Sequence, residues 1–129
     1  MIIDGKKEAA LLREEIKKEI LLIKSKDNKI PELTVILVGN FAPSQIYVSN
    51  KEKSSKEVGI NSNVIKYSKD VTEEEIIKKI KELNNDVNVS GILVQLPLPV
   101  QIDKEKIINT IDPLKDVDGF NPINVGNLA

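Results

Sequence analysis

A chain of 129 residues is the size of one domain and buries roughly two-thirds of the surface it exposes when unfolded, so it needs no staple to fold. It has no cysteine and no histidine, which removes a disulfide framework and the ligands zinc prefers, so no metal is expected. With 19 basic against 20 acidic residues, a net charge of -1 and Arg13 as the lone arginine, the chain has neither the field nor the forked donors for a nucleic-acid partner.

The opening Met1-Ile2-Ile3-Asp4-Gly5-Lys6 carries charge and no apolar stretch of signal-peptide length. No later run approaches the ~20 apolar residues that span a bilayer, so the expected setting is the cytoplasm with no membrane contact. From Lys6 to about Ser25, Ala9, Leu12, Ile16, Ile20 and Ile23 recur three or four apart among Lys and Glu, which predicts an amphipathic helix. It gives way to a polar loop at Lys26-Asp27-Asn28-Lys29. After Pro31, the run Leu33-Thr34-Val35-Ile36-Leu37-Val38 is apolar and β-branched, as a strand covered on both faces would be, and Gly39 closes it.

Pro43 suits a first helical turn, and nothing breaks the pattern from there to Val58, where Gly59 supplies a helix end. Asn63 to Tyr67 reads as a second, less apolar strand nearer an edge. Thr72 with Glu75 forms a capping box that opens a helix with Ile76, Ile77, Ile80 and Leu83 on its apolar face. Gly91 to Leu96 is a third strand, stopped by Pro97 and Pro99, and a short helix is expected from about Lys104 to Ile111. The remainder to Ala129, rich in Gly, Pro, Asp and Asn, is read as irregular. Alternating strands and helices imply an α/β fold, a three-layer αβα domain whose mostly parallel sheet is flanked by helices. Ligands of such sheets bind beyond the carboxyl ends of the strands, which directs attention to Gly39–Tyr47 and Gln95–Pro99.

The six glycines, at 5, 39, 59, 91, 119 and 126, are too dispersed for a dinucleotide fingerprint or a phosphate loop. The helix after Gly39 has an unusual inward seam at Tyr47, Lys51, Ser55 and Val58. A lysine on that face loses water, which favours its neutral amine as a proton acceptor. The plainer alternative, a lysine snorkelling beside a surface tyrosine, stays open. Gln95, a polar amide at the end of a buried strand, requires partners, whether backbone or a functional group. Asp116-Val117-Asp118-Gly119 could equally be an ordinary Asp-Gly turn.

Three runs in order carry a resemblance: Ser44-Gln45-Ile46-Tyr47-Val48-Ser49-Asn50-Lys51, Gly91-Ile92-Leu93-Val94-Gln95-Leu96-Pro97-Leu98-Pro99 and Lys115-Asp116-Val117-Asp118-Gly119-Phe120. With Ile3-Asp4-Gly5-Lys6 at the start and Pro122-Ile123-Asn124-Val125-Gly126 near the end, the whole chain resembles the folate-binding catalytic domain of the bifunctional methylenetetrahydrofolate dehydrogenase/cyclohydrolases. The resemblance implies NADP-dependent oxidation of 5,10-methylenetetrahydrofolate to the 5,10-methenyl form and its hydrolysis to 10-formyltetrahydrofolate. It places the catalytic lysine on Lys51, its aromatic partner on Tyr47, the glutamine that tunes the lysine on Gln95 and the pterin-binding aspartate on Asp118. Substrate contacts are expected from Tyr47, Val48, Ser49, Asn50 and Lys51 on the helix, from Val94, Gln95 and Leu96 at the strand end, and from Asp118.

Two departures stand out. Ala42-Pro43-Ser44 replaces the family's usual Pro-Ala-Ser, and Asn121 stands where a histidine is common. The family's second domain, with its glycine-rich NADP loop, does not fall within residues 1–129, so NADP is expected on the intact enzyme and no cofactor on this chain alone. The intact enzyme is expected to be a homodimer whose partners are tetrahydrofolate derivatives. The rival readings are a non-catalytic folate- or partner-binding domain and an unrelated signalling domain of flavodoxin-like topology. The latter is disfavoured by Gly39-Asn40-Phe41 and Gln95-Leu96-Pro97, where a receiver domain would carry acids.

Overall fold

The computed structural model of the chain describes residues 4–27 and 29–128, without the side chains of Asp27 and Leu128. Ile3, Asn28 and Ala129, each used in the sequence reading, lie outside the described residues. The elements follow in the order α1 (Gly5–Asp27), β1 (Glu32–Val38), α2 (Ala42–Val58), β2 (Asn61–Tyr67), α3 (Glu73–Asn85), β3 (Gly91–Val94), α4 (Lys104–Thr110) and α5 (Pro122–Leu128). The three strands form an all-parallel sheet in the order β2-β1-β3, with Val35 opposite Val64 on one side and Leu93 on the other. The central run Thr34–Val38 is wholly buried and β2 lies at the edge, as its weaker apolar character implied.

Strand parity divides the core in two. Ile36, Val38, Ile92 and Val94 face α3 and α4, where they join Ile76, Ile80, Leu83, Ile102, Ile107 and Ile111 in the larger cluster. Val35, Leu37 and Leu93 point the other way, onto Val48 of α2. The starts of α3 and α4 are set by short polar side chains. Thr72 accepts from the Glu75 amide to open α3, and Asp103 accepts from the Glu105 and Lys106 amides to open α4. At the end of α2, Gly59 adopts φ 91°, and its amide bonds to the Lys56 carbonyl, closing the helix in the left-handed conformation that glycine takes without strain.

Two expectations are corrected. The inward stripe of α1 runs through Ala9, Arg13, Ile16 and Ile20, while Leu12 and Ile23 are exposed. The cause is limited cover: α1 packs on α2, and a Cβ at Gly59 would stand 3.3 Å from Ile20. The C-terminal segment is not irregular throughout, because Pro122–Leu128 is helical. Its start was legible in Asn121-Pro122: the Asn121 side-chain oxygen accepts from the Ile123 amide, and proline fits the first helical position.

Ile76 is fully buried in the larger cluster. Ile76→Ala should therefore destabilise the chain by about 2–5 kcal/mol in urea unfolding, the cost of lost burial plus a residual cavity. A loss under about 1 kcal/mol would contradict the placement of the core on this face.

Candidate functional site

The same parity that builds the core aims the site. Gln95 follows Val94 and so returns to the side of Leu93, the α2 side, while its amide still bonds to the Ile36 carbonyl as though the strand continued. There it meets Lys51, whose Nζ donates to Gln95 Oε1 at 2.7 Å. Gln95 Nε2 donates to the Leu96 carbonyl at 3.1 Å, which fixes the amide so that its oxygen, not its nitrogen, faces the lysine. Gln95 is buried and Lys51 half-buried, and among the described residues the amine makes no second hydrogen bond. Ser44, buried in the first turn of α2, donates to the same Leu96 carbonyl at 3.3 Å and ties the start of the helix to the end of the strand.

The lining of α2 differs from the expected seam. Tyr47 is 55% exposed, and the buried positions are Ser44, Val48, Ser55 and Val58, with Lys51 half-buried among them. Lys51, Ser55 and Val58 keep their places on the expected seam and only Tyr47 leaves it, because Val48 is the apolar side chain available to cover Val35, Leu37 and Leu93. Tyr47 stays one turn before Lys51 and stands beside the site as an open wall. Ser49 and Asn50 are exposed on the rest of the helix. The Val48 and Val94 side chains lie in the two core clusters. Leu96 is half-buried, and its carbonyl is already shared by Ser44 and Gln95.

Asp118 comes from a segment that extends the sheet. The Ile92 amide donates to the Lys115 carbonyl at 2.7 Å and the Val117 amide to the Ile92 carbonyl at 3.4 Å, a parallel bridge between Ile92 and Asp116 on the free edge of β3. Two residues further along, Asp118 arrives level with the end of β3. Its side chain keeps an exposed edge, yet the atoms packed around it desolvate the carboxyl and raise its pKa above the usual carboxylate value. The Lys51 charge pulls that pKa down and the Asp116 charge pushes it up. The structure thus gathers Lys51, Gln95 and Asp118 at one end of the sheet, with Tyr47 alongside. Sequence reasoning missed Ser44 and Asp116, whose signals were a small polar residue in a helix's first turn and the first of two aspartates in what read as a turn.

The chain matches known proteins over most of its length. The model of the family described as "Tetrahydrofolate dehydrogenase/cyclohydrolase, catalytic domain" matches residues 3–118. The chain is 60% identical over all its 129 residues to the Bifunctional protein FolD of Pelagibacter ubique, covering 46% of that protein, and 51% identical to that of Chlorobium chlorochromatii, covering 44%. It superposes on the bifunctional enzyme FolD from Campylobacter jejuni with a TM-score of 0.94 and 47% identity, covering 97% of this chain and 44% of that one. The Trypanosoma brucei methylenetetrahydrofolate dehydrogenase-cyclohydrolase, solved with NADP cofactor and inhibitor, gives a TM-score of 0.93 at 33% identity, covering 99% of this chain and 43% of that one. The chain spans about half the length of the curated relatives it matches.

The electrostatic arrangement makes a direct prediction. Because the Lys51 cation favours the ionised form of Asp118, Lys51→Met should raise the Asp118 pKa further, measured by carbon-13 NMR of the carboxyl. An unchanged or lowered value would mean that the two groups do not face one another.

Proposed function

Because the chain belongs to the tetrahydrofolate dehydrogenase/cyclohydrolase family, we propose that it supplies the substrate-binding, catalytic-lysine half of an NADP-dependent methylenetetrahydrofolate dehydrogenase/cyclohydrolase. The intact enzyme would serve one-carbon metabolism as a cytoplasmic homodimer. The observation that carries this reading is the 2.7 Å hydrogen bond from Lys51 Nζ to Gln95 Oε1 at the carboxyl end of β3, with Asp118 brought to the same end from the neighbouring segment.

The residues divide the work by their chemistry. Asp118, with an exposed edge and a partly desolvated carboxyl, suits the donor nitrogens of a pterin, which would hold the ring. Tyr47, exposed beside Lys51, offers a flat face for the ring to lie against. Lys51 then stands over the one-carbon unit. In the hydrolytic step water adds to the methenyl cation and gives one proton to the lysine amine; the adduct's hydroxyl then loses its proton to solvent as the carbon–N5 bond opens and N5 takes its proton from the lysine, leaving 10-formyltetrahydrofolate and one proton released. Gln95 does not transfer a proton; its carbonyl keeps the amine aimed at the carbon.

The oxidative step needs a hydride acceptor, and the residues here do not fit one. The turn from β1 into α2, Gly39-Asn40-Phe41, has a single glycine, and Pro43 removes an amide from the first helical turn, so it is a poor cradle for a pyrophosphate. NADP would be carried by the family's second domain, and these residues would contribute only the position of the reacting carbon.

In the intact enzyme, Lys51→Met should lower the rate of methenyltetrahydrofolate hydrolysis, corrected for spontaneous hydrolysis, by ~10²–10⁴-fold while leaving the melting temperature nearly unchanged. A rate within a few-fold of the parent would remove the lysine from the chemistry and favour a domain that only binds. Asp118→Ala should cost about 1.5–3 kcal/mol in reduced-folate affinity with little change in kcat. Collapsed turnover at unchanged affinity would place Asp118 in the reaction itself.

A further inference from the structure

We propose that Asp116 is the positioning residue of this site: its carboxylate, with the space left by Gly91, seats the 115–121 segment so that Asp118 faces Lys51. What the site binds rests on the folate reading above; how Asp118 is held does not.

The Asp116 side chain is half-buried and each of its oxygens is used. Oδ1 accepts from the Gly119 amide at 3.1 Å, and Oδ2 accepts from the Asn121 amide at 2.8 Å and from Asn124 Nδ2 at 3.0 Å. All three donors come from the chain that follows, so one anion folds the backbone around itself and Asp118 lies inside the loop it closes. The two ends of the loop are fastened independently. Lys115 Nζ caps the end of α3 through the Leu83 and Asp86 carbonyls at 2.9 and 2.8 Å. Asn124 Nδ2 also reaches the Pro113 carbonyl at 2.8 Å, and Asn121 Nδ2 the Ile111 carbonyl at 3.0 Å. Among the described residues, none of these groups is hydrogen-bonded to the side chain of Lys51 or Gln95.

Gly91 supplies the room. A Cβ there would stand 2.6 Å from Val117 Cγ2, nearer than real side chains come, and Val117 sits between Asp116 and Asp118. Glycine at the first position of β3 therefore lets the 115–117 segment lie against the strand edge where the Ile92–Asp116 bridge forms. The conservative substitution Asp116→Asn keeps the shape but replaces one acceptor oxygen by an NH2 group. Either the Gly119 amide or the Asn121 and Asn124 donors would then face another donor.

The test is a pair of double-mutant cycles on the 129-residue chain. The first needs no ligand: Lys51→Met is expected to raise the Asp118 pKa in the parent, and to leave it unchanged in an Asp116→Asn background, because the released carboxyl no longer faces the amine. The same Lys51→Met shift in both backgrounds would overturn the proposal, whatever the chain binds. The second uses calorimetry with 5-formyltetrahydrofolate. Asp116→Asn should weaken binding about tenfold, and add less than about twofold once Asp118→Ala is present. Equal losses on both backgrounds, or no loss, would overturn it, since Asp116 would then act through the fold or not at all. Should Asp116→Asn not fold, Gly91→Ala carries both cycles with the same expectations, and Val117→Ala, which removes the clashing methyl, should restore its affinity; failure of that rescue counts against the proposal. A parent chain that does not bind 5-formyltetrahydrofolate defeats the folate reading alone, and the first cycle then decides the proposal.

Discussion

A lysine on a helix and an amide at the end of a strand meet here because of strand parity. Leu93 must turn toward α2 to cover Val48, and Gln95, two residues on, is carried to the same side just where apolar cover ends. One hydrogen bond from the Lys51 cation to an amide oxygen contributes no more than about 1.5–3 kcal/mol to stability. Its importance is geometric: α2, β3 and the turn after β3 share one node, through Lys51, Gln95, Ser44 and the Leu96 carbonyl. Displacing any of them moves the amine relative to whatever lies above the sheet.

The division of the core explains how this polar node is tolerated. The α3 and α4 face holds the larger cluster, including the fully buried Ile36, Ile76, Ile80, Ile92 and Ile107. The α2 face has fewer buried apolar groups and places Ser44, Ser55 and half-buried Lys51 among them. Hydrophobic stabilisation scales with apolar area removed from water, so one side of the sheet supplies most of it and leaves the other free for chemistry. Asp116 plays a parallel role at the sheet's edge, where charge-assisted bonds hold a segment whose large apolar side chains, Val117 and Phe120, stay half exposed.

Strands and long helices were legible because β-branched runs and capping residues act locally: Leu33–Val38 and Thr72 with Glu75 needed no tertiary information. The face of α2 was not. Its sequence offers two lines through Lys51, one beginning at Tyr47 and one at Val48, and only the apolar patch at Val35, Leu37 and Leu93 selects the second. The helix at Pro122–Leu128 was hidden by Gly126 and Asn127, whose poor helix propensity outweighed the start signal at Asn121-Pro122. Lys51 and Gln95 stood out by placement, a lysine on an inward seam and an amide ending a buried strand, and the motif resemblance gave them and Asp118 their roles. Why Asp118 reaches the site could not be read from Asp-Val-Asp-Gly, since the bonds of Asp116 span a loop whose shape depends on β3 and α3.

The proposed reduced-folate site lies at one end of this sheet, at Lys51, Gln95 and Asp118. Amide and side-chain NMR shifts recorded while 5-formyltetrahydrofolate is titrated into the chain test it most directly. Saturable shifts centred on Lys51, Gln95, Leu96 and Asp118, fading across β2 and α1, are expected. Saturable shifts centred elsewhere, with those four residues unmoved, would contradict it.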